Sequence, residues 1–239
     1  MVNTLGKRVS SRLEEWAKAQ ISPTIFHVKD LKIKVRNINE FYILFATHQL
    51  QELEILERFA KELGGMGLDG GGFIGTHALV MGKHCGVRCF EPNPYMAELI
   101  RENVELNGLP LPVEVYELAL HHEEGEASFD LQPYSSSMSK LGEGKFRVKT
   151  VPIDKLEWED LTIMKLDLEG NEYNALLGAK NTISRHKPVI MFEALTSEEL
   201  ERIGRLLGRC GYDVCYKLNE FSYITFLEER LEELLEGSG

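Results

Sequence analysis

The spacing of apolar and polar residues changes twice along this chain of 239 residues. Residues 10–20 predict a short helix. Over 24–46, Leu31, Ile33 and Val35 alternate with lysines, the run breaks at Asn37 and Asn39, and apolar residues return. That predicts a hairpin turning at 37–39. From 49 to 63, Leu53, Leu56, Phe59, Ala60 and Leu63 recur at helical spacing, with Lys61 in the last turn and Gly64 and Gly65 after it. The pattern then becomes an alternation. A strand at 66–69 leads into a glycine turn and a helix from about 76. A strand at 87–91 is followed by a helix that Pro94 opens and Gly108 caps. A third strand is predicted over 113–120, and 121–150 is less regular. A strand follows at 161–170, a helix at 172–183, a strand at 188–195 and an amphipathic helix at 197–210. Residues 212–218 and 221–227 read as a closing antiparallel pair, and 228–239 as an acidic helix.

Strands that alternate with helices imply an α/β fold, with a mostly parallel sheet and helices on both faces. The closing pair marks an antiparallel edge. Residues 1–63 form an N-terminal helix, hairpin and helix expected to pack on the core, and 64–239 carry the sheet. Ligands of such sheets bind beyond the carboxyl ends of the strands, where the strand order reverses. This directs attention to Asp69, Glu91, Ala119, Asp167, Glu169 and Glu193.

Composition narrows the classes. No window approaches the ~18 apolar residues of a membrane span. The first twenty residues lack an apolar core of signal-peptide length, so a cytoplasmic protein is expected. The net charge is −11, which argues against nucleic acid, whose phosphates are bound through lysine and arginine. Lys29, Lys32, Lys34 and Arg36 fall close together and are read as a solvated strand face. Cys85, Cys89, Cys210 and Cys215 are spaced too widely for a zinc knuckle and are read as reduced thiols.

The segment 69–75, DGGGFIG, has the strand–turn–helix context of a nucleotide-binding turn. It fits two frames. Gly70, Gly72 and Gly75 satisfy G-x-G-x-x-G, the dinucleotide fingerprint. Asp69, Gly71 and Gly75 satisfy an acid-first pattern. The charge of Asp69 decides between them, because a carboxylate ahead of the turn repels a pyrophosphate. It attracts the α-ammonium and sulfonium of S-adenosylmethionine. Glu91, at the end of the next strand, is placed to accept hydrogen bonds from ribose hydroxyls.

Four segments together resemble the FkbM-type methyltransferases: DGGGFIG; FEPNP at 90–94 with Asn103 and Asn107 in the following helix; Ala119 and Leu120 before the Gly125 turn; and MKLDLEGNE at 164–172 followed by Leu177, Gly178 and Ala179. The resemblance runs from about 68 to about 195. It implies a Rossmann-like methyltransferase fold with a seven-stranded sheet and S-adenosylmethionine as methyl donor. It implies methylation of a hydroxyl on a small molecule, sugar or glycolipid. By position, Asp69, Gly71 and Gly75 would line the methionine end, Glu91 would hold the ribose, and Asn93 would support that loop. Leu118, Ala119 and Leu120 would border the adenine, and Asp167 would face the sulfonium and acceptor. One departure stands out: Phe73 replaces the family's asparagine. Either Gly72 absorbs the left-handed backbone or the turn is altered.

Transfer to a hydroxyl needs alignment, and either a base or a charge that stabilises the oxyanion. Asp167, Lys165 and Glu193 are the candidates. Lys165 reads either as an ion-pair partner or as an electrostatic aid. Carboxylates at adjacent strand ends (Asp167, Glu169, Glu193) are a set that Mg²⁺ can use, but a metal-free site is preferred. Glu169 or Glu172 is equally read as a helix cap, and His121 or His122 as a loop base. Tyr134 with 135–139 is a candidate lid, and the N-terminal hairpin a pocket cover or a homodimer contact. Two rival readings remain, an NAD-dependent oxidoreductase and a non-catalytic S-adenosylmethionine-binding protein.

Overall fold

The computed structural model describes residues 23–44, 47–130, 140–142 and 144–229. The helix expected at 10–20, the serine-rich stretch 135–139 and residues 230–239 of the expected tail helix lie outside them.

Seven strands form the central sheet in the order β12-β13-β11-β10-β3-β4-β5. They are β3 (Met66–Gly70), β4 (Gly86–Phe90), β5 (Val113–Tyr116), β10 (Leu161–Leu166), β11 (Val189–Glu193), β12 (Val214–Lys217) and β13 (Ser222–Phe226). β10 pairs in parallel with β3 and with β11, and β3, β4 and β5 are parallel. β13 runs antiparallel to both β11 and β12, as the closing pair predicts. The strand order reverses between β3 and β10, so their carboxyl ends open a crevice.

The strands show why both faces are covered. All of β10 is buried, as a central parallel strand requires. In β11, Ile190 and Phe192 pack with Ala175, Leu176, Ile183 and Ile203, while Val189 and Met191 pack with Leu56, Ala60, Ala78 and Ile100. The first group belongs to helices α5 (Glu172–Leu177), α6 (Lys180–His186) and α7 (Ser197–Arg209). The second belongs to α2 (Thr47–Leu63), α3 (Thr76–Met81) and α4 (Pro94–Asn107). Alternation at period two thus sorts one strand's residues between two helical layers.

Helix α4 keeps its expected bounds because its caps are chemically explicit. The Asn93 side chain accepts from the Tyr95 N–H, Pro94 fills the first turn, and Gly108 takes φ 53° with its N–H on the Val104 carbonyl.

Three sequence expectations need correction. The hairpin is β1 (Thr24–Val28) and β2 (Leu31–Val35), turning at Lys29 and Asp30 and not at 37–39. Asn37 instead caps a helix, α1 (Ile38–Leu44): its Oδ1 accepts from the Glu40 N–H, and Glu40 accepts in return from the Arg36 N–H and the Asn37 side chain. The strand expected over 113–120 divides between β5 and β6 (Ala119–Leu120), and β6 joins a separate four-stranded sheet of order β6-β9-β7-β8. This sheet uses β7 (Gly125–Asp130), β8 (Lys140–Leu141) and β9 (Phe146–Val151), so the described residues of the irregular stretch are mostly strand. Its register was hidden by exposed, polar alternate positions. The helix expected at 172–183 breaks at Gly178, where a Cβ would lie 2.4 Å from the His121 carbonyl oxygen.

The hairpin is held by side-chain amides. Asn103 accepts from the Lys34 N–H and donates to the carbonyls of Lys34 and Ile74, and Asn107 accepts from and donates to the Lys32 backbone. Two asparagines one turn apart on α4 thereby replace a pairing strand at the edge of β2. Three of the four basic residues are paired: Lys29 with Glu57, and Lys34 and Arg36 with Glu102. Among the described residues no helix is long and apolar enough to cross a membrane.

Candidate cofactor and acceptor site

The turn after β3 is set by close approaches. Gly71 sits at φ 76°, and a Cβ there would lie 1.8 Å from the Asp167 carbonyl oxygen. At Gly72 a Cβ would lie 2.3 Å from the Cys89 sulfur. Only glycine lets this chain pass between β4 and the end of β10. Phe73 takes the left-handed conformation itself, at φ 51°. Gly72 is not among the residues at positive φ. A non-glycine residue there costs roughly 1–2 kcal/mol. Two features offset the cost. The Phe73 N–H donates to Glu91 Oε2 at 2.9 Å, and its half-buried ring packs against the cluster shared by the hairpin, α3 and α4.

Asp69 lies beneath the turn and is fully buried. Its Oδ2 accepts from the Ala78 N–H of α3 at 3.0 Å, and Oδ1 lies 3.3 Å from Lys165 Nζ, an ion pair without an aligned hydrogen bond. Lys165 Nζ also donates to the Gly71 carbonyl at 2.9 Å and lies 3.7 Å from Asp167 Oδ2. Burial pulls the Lys165 ammonium down, but the charges of Asp69, Asp167 and Glu52 more than reverse this and hold it above its usual value.

Glu91 follows β4 directly. Its two oxygens accept the N–H groups of Asn93 and Phe73, both at 2.9 Å. Burial raises its carboxyl to about 7, against the two N–H bonds and the charge of Lys165, which favour ionisation. Asn93 therefore has two tasks, capping α4 with its side chain and fixing Glu91 with its backbone. Beside Glu91, Phe90, Pro92, Ala119, Leu120, Phe129 and Leu141 form an apolar wall to which the second sheet contributes.

Past β10 the chain turns sharply, with Glu169 at φ 54° and Gly170 at φ 93°. Asp167 and Glu193 follow and end adjacent strands, since Leu166 pairs with Phe192. Burial, then the charges of Asp167 and Glu169, raises Glu193 to about 8. Glu172 accepts the Leu168 N–H within the turn.

One cleft of about 780 Å³, its open mouth included, is lined jointly by Gly71, Gly72, Phe73, Glu91, Ala119, Leu120, Lys165, Asp167 and Glu169. Asp69, Gly75, Asn93, Leu118 and Glu193 are not on its wall. Gly75 starts α3 at φ 90°, and Leu118 packs against the main core cluster. His121 and His122 also stand off the cleft, their rings tilted by 37° with centroids 4.2 Å apart.

Sequence reasoning missed the pair Glu52 and His77. His77 lines the cleft, and its Nε2 lies 3.5 Å from Glu52 Oε2. Burial pushes Glu52 up, but His77, Ser222 and Asn219 pull its carboxyl down to about 2. His77 looked like an ordinary helix residue, and Glu52 comes from a helix distant in sequence. Only the polar residue inside an otherwise apolar helix start, THALVM, hinted at it.

A model of the methyltransferase FkbM domain matches residues 69–214, more than half of the chain. No protein of curated function matches. Among solved structures, the chain is similar to the methyltransferase FkbM of Methylobacillus flagellatus KT, at 20% identity and a TM-score of 0.51, over 68% of this chain and 44% of that one. It is similar to Trm5b of Pyrococcus abyssi, at 16% identity and a TM-score of 0.53, over 86% and 55%. It is similar to TYW2 of M. jannaschii, solved in complex with AdoMet, at 14% identity and a TM-score of 0.52, over 86% and 85%. The chain thus spans about half the length of the first two. At these identities the structures speak for the fold, a Rossmann-like methyltransferase sheet. The matched segment begins at Asp69 and contains the turn, Glu91 and the LDLEG turn, and by it the chain belongs to the FkbM methyltransferase family.

Proposed function

We propose that this chain transfers a methyl group from S-adenosylmethionine to a hydroxyl of a small molecule, sugar or glycolipid. The observation that carries the reading is the shared cleft. It brings together a backbone-braced carboxylate at the end of β4, a glycine turn open to close approach, and Lys165 with Asp167 at the end of β10.

The residues present suit the cofactor. Each oxygen of Glu91 has one N–H partner and a lone pair to spare, which suits the two hydroxyls of a ribose. The apolar wall beside it suits an adenine. Asp69 acts at one remove: buried under the turn, it neutralises Lys165, so the cleft is not left with an uncompensated positive charge. The dinucleotide frame loses its first glycine, because Gly70 is a paired residue of β3, in register with Phe90 and Leu166.

Bound S-adenosylmethionine supplies an electrophilic methyl on a cationic sulfur. Asp167, its side chain 41% exposed, is available to an acceptor hydroxyl. Lys165, held by Asp69 and by the Gly71 carbonyl, would stabilise charge developing on the acceptor oxygen. Glu193, raised to about 8 and off the cleft wall, is mostly protonated at neutral pH, so it would act on the acceptor through Asp167 and not by direct contact. The net charge of −11 and the pairing of the basic run with acids favour a small acceptor over RNA.

Methyl transfer from labelled S-adenosylmethionine into fractionated cell extract tests the reading. Label in a small molecule, glycan or glycolipid supports it. Label in RNA, or none in any fraction while S-adenosylhomocysteine binds, overturns the acceptor assignment or the activity respectively.

A further inference from the structure

Asp167, Glu172 and Glu193 bring carboxylates together from three elements: the end of β10, the start of α5 and the end of β11. Each offers an oxygen, and these oxygens all lie within 4.8 Å of one another. Three carboxylates at such range, if all ionised, would repel strongly in a partly buried site. Among the described residues, the ammonium that reaches them is Lys165, 3.7 Å from Asp167, and it is already committed to Asp69 and to the Gly71 carbonyl.

Glu172 adds an independent observation. It is fully buried, its Oε1 accepts the Leu168 N–H, and its Oε2 has no hydrogen-bond partner. A buried carboxyl oxygen without a partner is costly and rare. The carboxyl group that carries it converges with those of Asp167 and Glu193. A helix cap would need only Oε1, so capping does not account for the second oxygen.

The geometry points to a divalent-cation site formed by Asp167, Glu172 Oε2 and Glu193. An all-oxygen, all-carboxylate set selects a hard ion such as Mg²⁺, Mn²⁺ or Ca²⁺ over zinc or copper. Glu172 would bind through Oε2, the oxygen that no N–H occupies. Three protein ligands leave positions for water and for one oxygen of a ligand in the cleft, whose wall Asp167 shares. The use of the ion rests on the methyl-transfer reading above; its binding does not. In that use the ion would draw an acceptor hydroxyl into line and ease loss of its proton to solvent water. The oxygen lone pair then forms the new C–O bond as the S–CH₃ pair returns to sulfur, leaving S-adenosylhomocysteine.

The test is a titration of the chelator-stripped full chain with Mn²⁺, followed by the paramagnetic signal of the free ion, with and without S-adenosylhomocysteine. The expected result is one Mn²⁺ per chain, at a dissociation constant on the order of 0.1 mM or tighter and competed by Mg²⁺. Glu172→Gln and Glu193→Gln keep the shape of the side chain and should each weaken Mn²⁺ at least about tenfold. Both variants should melt no lower than the parent without metal, since Gln matches the shape of the neutral carboxyl it replaces, and both should lose the rise in melting temperature that Mn²⁺ gives the parent. No Mn²⁺ bound at about 1 mM, or equal binding by parent and both variants, overturns the site and leaves carboxyls that share protons instead. S-adenosylhomocysteine binding, read in the same samples, separates failure of this site from failure of the methyltransferase reading.

Discussion

Glu91 concentrates the cofactor argument in one side chain. Its carboxyl near 7 is half ionised at neutral pH, and only the ionised form offers both oxygens as acceptors. S-adenosylhomocysteine affinity should therefore fall by roughly tenfold between pH 8 and pH 6, as calorimetry at the two values would read. Glu91→Gln places an amide NH₂ against the N–H of Phe73 or Asn93. It should destabilise the fold by about 1–3 kcal/mol, abolish that pH dependence and weaken the ligand. Phe73 makes the opposite case. Its contribution is a backbone N–H, so Phe73→Asn should change cofactor affinity less than about threefold, near the value of one weak contact. A loss of binding would mean that the ring itself touches the ligand. At this scale the sequence was informative about type and less so about duty. The carboxylate of Asp69 was legible as the deciding charge, yet its role under the turn was not. Its partner Lys165 lies on another strand, and which of two strand-end acids faces the cleft depends on register. Glu172 was legible as a helix-start acid, but an orphaned second oxygen is visible only once packing is known.

Helices and strands whose boundaries rest on local chemistry were legible to within a residue or two. Helix α4 is the clearest case, with asparagine, proline and glycine at its ends. The misreadings came where a tertiary contact decides. The break between α5 and α6 is imposed by the backbone at 121–122 pressing on Gly178, and the small sheet closes through β6 and β9, whose pairing joins residues 31 apart. The β3–β10 crossing has the same origin. Gly71→Ala forces a Cβ to 1.8 Å from a carbonyl oxygen at positive φ. It should cost about 3 kcal/mol or more, measured by denaturant unfolding, or part the strands enough to abolish cofactor binding. Asn103→Ala removes the amide that clamps β2 to α4. Faster amide exchange confined to the hairpin and the end of the turn at Ile74 is the expected signature, with a loss of about 1–3 kcal/mol.

Across the whole molecule the carboxylates fall into two groups, and the sign of each sets the pH profile of stability. Glu91 near 7 and Glu193 near 8 are raised in the folded state. Their contribution is present below the ordinary glutamate value and is lost as pH rises through 7 to 8. Glu52 near 2 is lowered, and its contribution is lost as pH falls below about 4.5 toward 2. Thermal stability without ligand should therefore peak in mildly acidic solution and decline toward pH 8. S-adenosylhomocysteine and a divalent ion should reverse that decline, because both favour the ionised carboxylates. The same arrangement of charge explains why an acidic chain suits this chemistry: the carboxylates gather at the strand ends around one buried ammonium, while three of the four residues of the basic run form ion pairs with α2 and α4. The central claim is that the cleft beside Glu91 and the glycine turn holds S-adenosylmethionine. Calorimetric titration of the full chain with S-adenosylhomocysteine, and separately with NADH, tests it most directly. The account predicts saturable, one-to-one binding of S-adenosylhomocysteine that Glu91→Gln weakens, and no heat from NADH; binding of NADH, or no binding of either ligand, would contradict it.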